Sequence, residues 1–553
     1  MNKFYITTAI DYVNSVPHLG HAYEKIAADV FARFYRLKGY DTYFVTGVDE
    51  HGTKIEKAAK AANIAPQEFC DNITAKFIDT WKTLNISYDD FIRTTQERHI
   101  KAVTKIFEKL YANGDIYKDS YKGWYCSGCE AFLQEKDLVD GECVIHQRKA
   151  EWIAEENYFF KIAKYKGRIK QHILDNPGFI QPEGRRQEVL HLIDDFKDVS
   201  VTRQSVEWGI KVPIDDTQTI YVWLDALSNY ITALGYLSGN EESKLSPTLS
   251  LTMDSTHSTS SVTTSSPTEE RENDGKFSRY WPANLQLIGK DILRFHTIIW
   301  PSMLLGLGLT LPETIYIHGF IYSRSLKMSK SLGNVVDPNE LVEKYPVDAV
   351  RYYLLREVVF GADGDFTLEA FEQRVDADLA NNLGNTLNRT LAILNKNLQG
   401  IVPEGEVDSN IIALIEKVVN DVDNSMKKFA IQDALISIWE LVNAVNKYID
   451  NQKPWAIAKL VKENPDDKNT FKSLCDVLYT SLESLRVIAI LLSPYLPDIT
   501  SKIWEQLGII QPLQSCKWDN IKSNQLKTGT KTNHKGPVFL RVGSELADKS
   551  KKL

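Results

Sequence analysis

The sequence of 553 residues has few cysteines, no excess of basic residues and no long apolar run. Its net charge is -8, so any site for a polyanion such as nucleic acid must be a local patch. No uninterrupted apolar stretch reaches the ~18 residues that span a bilayer. Asp11 interrupts the apolar stretch near the start, so a secretory signal is not indicated. We therefore expect a cytoplasmic protein of about two to four domains.

The six cysteines do not form a disulfide framework, because three cluster and three are scattered. The cluster reads Cys126-Ser-Gly-Cys129 and, thirteen residues later, Cys143-Val-Ile-His146. Two short knuckles of this kind present four ligands to one tetrahedral Zn²⁺. Since the protein fills all four positions, none remains for a reacting water, and we predict a structural zinc ion. An iron–sulfur cluster is the weaker alternative because one ligand is a histidine.

The first fifty residues alternate between strand and helix patterns. "KFYITTAI" (3–10) is typical of a strand, and residues 19–39 repeat apolar side chains at helical spacing before stopping at Gly39. "DTYFVTGV" (41–48) is typical of a second strand. This order favours a parallel sheet with a nucleotide-type crevice at the carboxyl ends of its strands.

The remaining patterns divide the chain into five parts. We expect a Rossmann-like α/β catalytic domain at 1–116 and 223–320, split by an irregular insertion with the cysteine cluster at 117–222. A connecting region follows at 321–370, and an all-α bundle occupies 371–553, where strand patterns fade. Within 237–277, "STHSTSSVTTSS" holds ten Ser or Thr in twelve positions, which predicts a disordered loop.

Two short segments far apart in the chain carry complementary chemistry. Pro17-His-Leu-Gly-His21 lies at a strand-to-helix turn, where Gly20 permits close approach and a helix N-terminus attracts phosphate. "KMSKSLGN" (327–334) presents two lysines on a flexible loop. Histidines on one side and mobile lysines on the other could stabilise the charge that develops in phosphoryl or nucleotidyl transfer. Taken alone, either segment is explained equally well as a solvated turn on the protein surface.

In this order, the two segments resemble the "HIGH" and "KMSKS" motifs of class I aminoacyl-tRNA synthetases. "GVDEHG" (47–52), "YVWLDAL" (221–227), "IGKDILRFH" (288–296) and "NQKPWAIAK" (451–459) are similar to methionyl-tRNA synthetases of bacterial or organellar type. The resemblance covers essentially the full chain. It implies activation of methionine by ATP with Mg²⁺, release of pyrophosphate, and transfer of methionine to the 3'-terminal adenosine of tRNA(Met). It also implies a single zinc knuckle, an anticodon-binding helical domain and, since no C-terminal tRNA-binding extension follows, a monomer.

The resemblance also implies a role for individual residues. The catalytic and ATP-binding groups would be His18, Gly20, His21, Asp291, Lys327 and Lys330. The methionine pocket would contain Ile10, Tyr12, Asp49, Trp223, Tyr230, Phe295 and His296, with Asp49 holding the substrate ammonium. Aromatic walls favour a thioether, and a Tyr or His donor could reach its sulfur. The CAU anticodon would contact Asn385, Arg389 and Trp455, and the zinc ligands would be Cys126, Cys129, Cys143 and His146.

The resemblance is not complete. The family usually has Pro and Tyr where this chain has Ala9 and Asp11, so this edge of the pocket differs. The insertion is small for a separate editing domain, so rejection of homocysteine would take place in the synthetic site. A leucyl or cysteinyl synthetase and a catalytically silent tRNA-binding relative are the alternatives. Pyrophosphate exchange with each amino acid separates them.

Overall fold

The computed structural model describes residues 2–126, 131–133, 138–144, 148–238, 275–327, 334–522 and 524–542. Three predicted site residues, Cys129, His146 and Lys330, lie outside these ranges. The Ser/Thr-rich segment 255–266, predicted to be disordered, also lies outside them.

The N-terminal part has the β-α-β order that the sequence predicts. Its strands are β1 (Lys3–Thr8), β2 (Asp11–Tyr12), β3 (Asp41–Asp49) and β4 (Asp90–Arg93), and its helices are α1 (Leu19–Leu37), α2 (Thr53–Ala62), α3 (Pro66–Thr83) and α4 (Glu97–Ala112). Strands β1 and β3 are buried on both faces, as parallel strands covered by helices are.

In the described residues between 116 and 220, nine strands form three small antiparallel sheets, a tenth strand joins the main parallel sheet, and two helices lie among them. The strands are β5 (Ile116–Cys126), β6 (Ala131–Leu133), β7 (Leu138–Val139), β8 (Glu142–Cys143), β9 (Glu151–Phe160), β10 (Ile180–Gln181), β11 (Val199–Ser200), β12 (Thr202–Arg203), β13 (Lys211–Val212) and β14 (Asp215–Ile220). The helices are α5 (Lys166–Asp175) and α6 (Glu183–Leu192).

The second α/β part returns the chain to the main sheet. It contains α7 (Val222–Leu227), α8 (Asn229–Thr232), α9 (Lys276–Tyr280), β15 (Leu285–Gly289), α10 (Trp300–Leu307) and β16 (Ile315–His318). Lys276 and Phe277, which the sequence prediction places in the disordered loop, instead begin α9. The reason is packing, because the Phe277 ring lies 4.8 Å from that of Tyr236 and 6.2 Å from that of Trp281.

The central sheet is parallel, in the order β10-β16-β15-β1-β3-β2, with β4 also paired to β3. The first half of the domain extends the sheet from β1 through β3, and the second half extends it from β15 through β16. The carboxyl ends of β1 and β15 therefore flank the point where strand order reverses, which is where α/β proteins bind ligands. Strand β10 belongs to this sheet although it lies within the predicted insertion, since a two-residue strand has no periodicity to reveal it.

The connecting region and the C-terminal part complete the fold. The former contains β17 (Ile321–Ser323), β18 (Leu326–Lys327), α11 (Pro338–Lys344), α12 (Val347–Glu357) and β19 (Gly364–Phe366). The latter contains α13 (Leu368–Arg374), α14 (Asn385–Leu398), α15 (Ser409–Lys427), α16 (Ile431–Gln452), α17 (Pro454–Glu463), α18 (Lys468–Leu492) and α19 (Pro497–Gln506), which confirms the predicted helical domain. Among the described helices, none combines the length and apolar character that a membrane span requires.

Helix α1 is enclosed between the sheet and the helical domain. Arg351 on α12 is fully buried and donates to Asp29 on α1 at 2.7 Å and to the carbonyl oxygens of Pro494 and Tyr495 at 3.1 and 2.8 Å. A buried arginine is stable only when its donors are satisfied in this way. The helix that begins with the histidine turn is thus held from both sides.

Candidate active site

A cleft of about 370 Å³ opens at the carboxyl ends of β1 and β15. Its wall brings together residues that are up to about three hundred positions apart in the sequence. The predicted site residues that line it are Ile10, Tyr12, His18, Gly20, His21, Asp49, Trp223, Tyr230, Asp291 and His296. Ten of the predicted catalytic and pocket residues therefore share one cavity in the part of the chain that the structure describes, whereas Phe295 is not among its lining residues.

The histidine turn caps α1 with its own side chains. Nδ1 of His18 accepts hydrogen bonds from the backbone N–H groups of Gly20 (3.1 Å) and His21 (3.4 Å), and Nδ1 of His21 accepts from the N–H of His18 at 3.2 Å. The rings are stacked with centroids 3.7 Å apart. A Cβ on residue 20 would lie 3.0 Å from the His18 ring, so any larger residue would require that ring to shift by a few tenths of an ångström.

These hydrogen bonds decide which ring nitrogens can donate to a ligand. Because each Nδ1 accepts a backbone N–H, the proton of each neutral ring lies on Nε2. Burial, together with nearby His18 and Lys25, lowers the pKa of His21. The turn thus offers two neutral imidazole N–H donors at a helix N-terminus, which suits a phosphate oxygen.

The apolar end of the cleft is an aromatic wall. The rings of Trp223 and Phe295 are stacked with centroids 3.6 Å apart. Behind them, the buried Tyr230 hydroxyl lies 2.6 Å from Nε2 of His296, whose Nδ1 lies 3.1 Å from the Ile292 carbonyl. Since a carbonyl only accepts, Nδ1 carries the proton and Tyr230 donates to Nε2.

This arrangement fixes both protons of the Tyr230–His296 pair. Burial lowers the pKa of His296 to about 4 and raises that of Tyr230, so both groups are neutral at physiological pH. Neither proton is left over for a thioether sulfur, contrary to the expectation that one of these groups donates to it. The wall therefore offers polarisable rings and an oxygen lone pair.

Asp49 lies at the end of β3, where the motifs "GVDEHG" and "YVWLDAL" meet. Its carboxylate accepts the His51 backbone N–H at 3.3 Å. The His51 ring bonds Asp225 of α7 at 2.7 Å, and His99 bonds the other Asp225 oxygen at 2.8 Å. All three side chains are buried, and this network fixes Asp49 relative to the aromatic wall. Local sequence gives no signal for the roles of Asp225, His51 and His99, although the first two belong to the quoted motifs.

The lysine segment begins at the rim of the cleft. Ile321 of β17 lines the cleft, and β17 pairs with β18, which ends at Lys327. Beyond the undescribed residues 328–333, the Val336 carbonyl accepts the N–H of Leu19 at 3.0 Å. Leu19 is the neighbour of His18, so the chain re-enters the described structure beside the histidine turn.

Three buried ionisable residues of the cleft were missed by the sequence analysis. Glu24, Lys25 and His318 all line the cavity. Glu24 and Lys25 lie between apolar residues of α1, where a helical pattern with one apolar face would place charges in solvent. They are buried because α1 is covered on both sides.

The cysteine cluster lies away from the cleft. Cys126 ends β5 and Cys143 ends β8, and both are buried in one small cluster with Leu133 and Ala150. Within the described residues no group of three or more metal-ligating side chains occurs, but two of the four predicted ligands lie outside them. Two buried thiols brought together from separate strands fit a thiolate metal site.

The predicted anticodon residues meet on the helical domain. The Arg389 guanidinium of α14 lies 5.5 Å from the centre of the Trp455 ring, which is 47% exposed at the start of α17. Arg389 is also held by Asp450 at 2.5 Å. Asn385 lies one helical turn before Arg389 and is half-buried. An exposed indole beside a fixed cation suits an unstacked base.

Known proteins share this architecture and sequence. The family described as "tRNA synthetases class I (M)" matches residues 4–143 and 129–391, and "Anticodon-binding domain of tRNA ligase" matches 408–542. The methionine--tRNA ligase of Caldanaerobacter subterraneus subsp. tengcongensis is 46% identical over 99% of this chain and 81% of its own. That of Bacillus subtilis is 42% identical over 98% and 78%. The Mycobacterium tuberculosis methionyl-tRNA synthetase in complex with methionyl-adenylate superimposes with a TM-score of 0.86 at 37% identity, covering 98% of this chain and 100% of that one.

Proposed function

Because the chain belongs to the methionyl-tRNA synthetase family of class I tRNA synthetases, we propose that it activates methionine with ATP and then transfers the methionyl group to tRNA(Met). The observation that carries this proposal is that ten of the predicted catalytic and pocket residues line one cleft. It places the two stacked histidines, Asp49 and Trp223, whose ring stacks on Phe295, around one cavity. A leucyl or cysteinyl substrate is disfavoured, since the pocket wall is aromatic and the cysteine cluster lies outside the cleft.

Each part of the cleft has one task in this reaction. The methionine carboxylate attacks the α-phosphorus of ATP, and pyrophosphate leaves. Nε2–H of His18 and His21 and the α1 N-terminus would stabilise the negative charge on the phosphate oxygens. Asp49 would hold the methionine ammonium, and the aromatic wall would enclose the thioether. Mg²⁺ would accompany ATP and balance its charge. Lys327 and Lys330 would approach the leaving pyrophosphate from the opposite side, and Asp291 lies on the nucleotide side.

Amino-acid-dependent exchange of radiolabelled pyrophosphate into ATP tests this function. We expect methionine, and neither leucine nor cysteine, to support exchange in the purified protein. Transfer to tRNA(Met) should follow when tRNA is added. If the protein binds tRNA(Met) but no amino acid supports exchange, it is a catalytically silent relative instead. A monomeric state and a cytoplasmic location stay predictions.

We propose a structural zinc ion held by Cys126, Cys129, Cys143 and His146. It would cross-link the ends of strands β5 and β8, whose buried apolar cluster is small. We expect about one zinc ion per purified chain, and Cys126→Ser to lose the ion and lower the unfolding temperature. Atomic absorption and thermal unfolding measure both effects. Cys516→Ser, in the helical domain, should retain the ion; equal zinc in both variants would refute the assignment.

We propose that Trp455, Arg389 and Asn385 bind the CAU anticodon. Stacking of one base on an exposed aromatic ring is worth about 1–3 kcal/mol. Trp455→Ala should therefore raise the KM for tRNA(Met) by about 5- to 100-fold and leave methionine-dependent exchange unchanged. Phe471→Ala is the matched control, since Phe471 is another exposed aromatic residue of the same domain (44%). Loss of exchange in Trp455→Ala, or equal effects in both variants, would contradict the anticodon role.

A further inference from the structure

Lys25 is a fully buried lysine in the helix that begins with the histidine turn. Its Nζ lies 3.1 Å from the Ala9 carbonyl, 2.6 Å from Oδ1 of Asp11 and 3.0 Å from Oε1 of Glu24. An ammonium group has three N–H donors, so every donor of Lys25 has an acceptor. Burying a lysine costs solvation free energy, and apolar side chains of similar volume are often at least as stabilising. A buried lysine of this kind therefore indicates that the position of its charge has a role.

The acceptors of Lys25 join two sides of the cleft. Ala9 and Asp11 lie in the segment between β1 and β2, which edges the cavity together with Ile10 and Tyr12. Glu24 continues the chain of contacts, because its Oε2 lies 2.8 Å from Nε2 of His318. Nδ1 of His318 lies 2.8 Å from the Gly319 carbonyl, at the end of β16. Contacts therefore run from the predicted methionine side, through α1, to the strand that leads into the lysine segment.

Among these linked residues, Asp11 is the one whose hydrogen-bonding capacity is least satisfied. Its Oδ2 is buried and has no hydrogen-bond partner among the residues that the structure describes. Burial raises the pKa of Asp11 to about 7, although Lys25 acts in the opposite direction. The other charged or titratable side chains that line the same cavity are Lys25, Glu24, His18 and His21 of α1, Tyr12 of β2, Asp49 of β3, Lys54 of α2, Tyr230 of α8, Asp291 and His296 after β15, and His318 of β16.

We propose that Lys25 is a positioning residue for methionine: through Asp11 and the Ala9 carbonyl it holds the 9–12 edge of the pocket against the helix that carries His18 and His21. The proposal rests on the function proposed above. Ala9 and Asp11 are the two residues of that edge that Lys25 contacts.

The test separates binding of methionine from binding of ATP. In pyrophosphate exchange with the full chain, Lys25→Met should raise the KM for methionine by about 10- to 100-fold, since small displacements of a binding edge have effects of this size. The KM for ATP should change less than twofold. Lys25→Met/Asp11→Asn removes the carboxylate that would lack its partner at the pocket edge, so it should recover stability, whereas the KM for methionine should stay raised because the link between the 9–12 edge and α1 is still missing.

A control excludes a purely structural effect. Arg486→Met breaks another buried ion pair, with Glu483 on α18 (2.8 Å), far along the chain from the cleft. It should lower the unfolding temperature and leave both KM values unchanged. The proposal is overturned if Lys25→Met lowers stability in the same way without a selective rise in the KM for methionine.

The pH dependence gives a second readout, which does not require Lys25→Met to fold. In the unmodified protein the KM for methionine should rise as the pH falls from 8 to 6, because protonation of Asp11 removes the charge that Lys25 binds. Asp11→Asn should abolish this rise. Identical pH profiles would overturn the proposal, whereas absence of methionine-dependent exchange in the unmodified protein would instead overturn the proposed function.

Discussion

Replacement of His21 by alanine is expected to slow methionine-dependent pyrophosphate exchange by about 10²- to 10³-fold, the usual effect of losing one preorganised donor to a transition-state oxyanion. Two consequences of the substitution combine. It removes the Nε2–H donor from the cleft, and it removes the acceptor for the His18 N–H, which lies 3.2 Å from Nδ1 of His21. Stopped-flow or exchange measurements at saturating methionine and ATP would report the effect on the rate.

Two further variants make this prediction specific. The side-chain amide of Gln can place a donor near the position of the imidazole Nε2, so we expect His21→Gln to keep more activity than His21→Ala. His191→Ala removes an exposed histidine outside the cleft and should leave exchange unchanged. An exchange rate in His21→Ala within twofold of the unmodified protein would show that the turn does not contact the reacting phosphate.

The parts of the fold and of the cleft that local sequence predicts depend on local patterns. The histidine turn was predictable because Pro17, the preceding strand and the following helical periodicity all lie within one short segment. The same holds for α14, where Asn385 and Arg389 share a face. The pocket residues Trp223, Tyr230 and His296 came from the family resemblance, since no local pattern distinguishes an aromatic residue of a pocket from one of the core.

The parts that were missed depend on layers formed by distant segments. Lys25 follows Glu24 on α1, and a helix with one apolar face would expose such a pair. It is buried because α12 and the helical domain cover α1, and that contact involves Arg351, more than three hundred residues away. The hydrogen bond between Leu19 and Val336 has the same origin, and local sequence carries no signal for it.

The sequence also cannot predict which atoms of Tyr230 and His296 carry the protons. The sequence indicates only that a hydroxyl and an imidazole are available. Which of them donates depends on the Ile292 carbonyl, which accepts from Nδ1 at 3.1 Å. This single backbone contact determines the tautomer and therefore the polarity that a substrate meets.

Lys330→Ala should reduce the rate of adenylate formation by about 10²- to 10³-fold while tRNA(Met) binding stays nearly unchanged. The reason is electrostatic: a lysine that engages the departing pyrophosphate contributes most in the transition state, where the charge is largest. The anchors of this segment support such an approach. Ser325 is held by Asp365 at 3.0 Å before it, and Val336 is held by Leu19 at 3.0 Å after it.

The length of the segment between Lys330 and Val336 allows Lys330 to reach the pyrophosphate. Lys330 lies six positions before Val336, and an extended chain of that length reaches about 20 Å at most. The long lysine side chain can therefore meet a ligand bound at the histidine turn without moving the anchors.

Lys344→Ala is the control for this prediction. The substitution lies on the exposed face of α11, removes an equal charge outside the segment and should leave exchange intact. Filter binding of tRNA(Met) and single-turnover adenylate formation distinguish the two steps, and a parallel loss of both in Lys330→Ala would indicate disrupted folding instead of lost transition-state stabilisation.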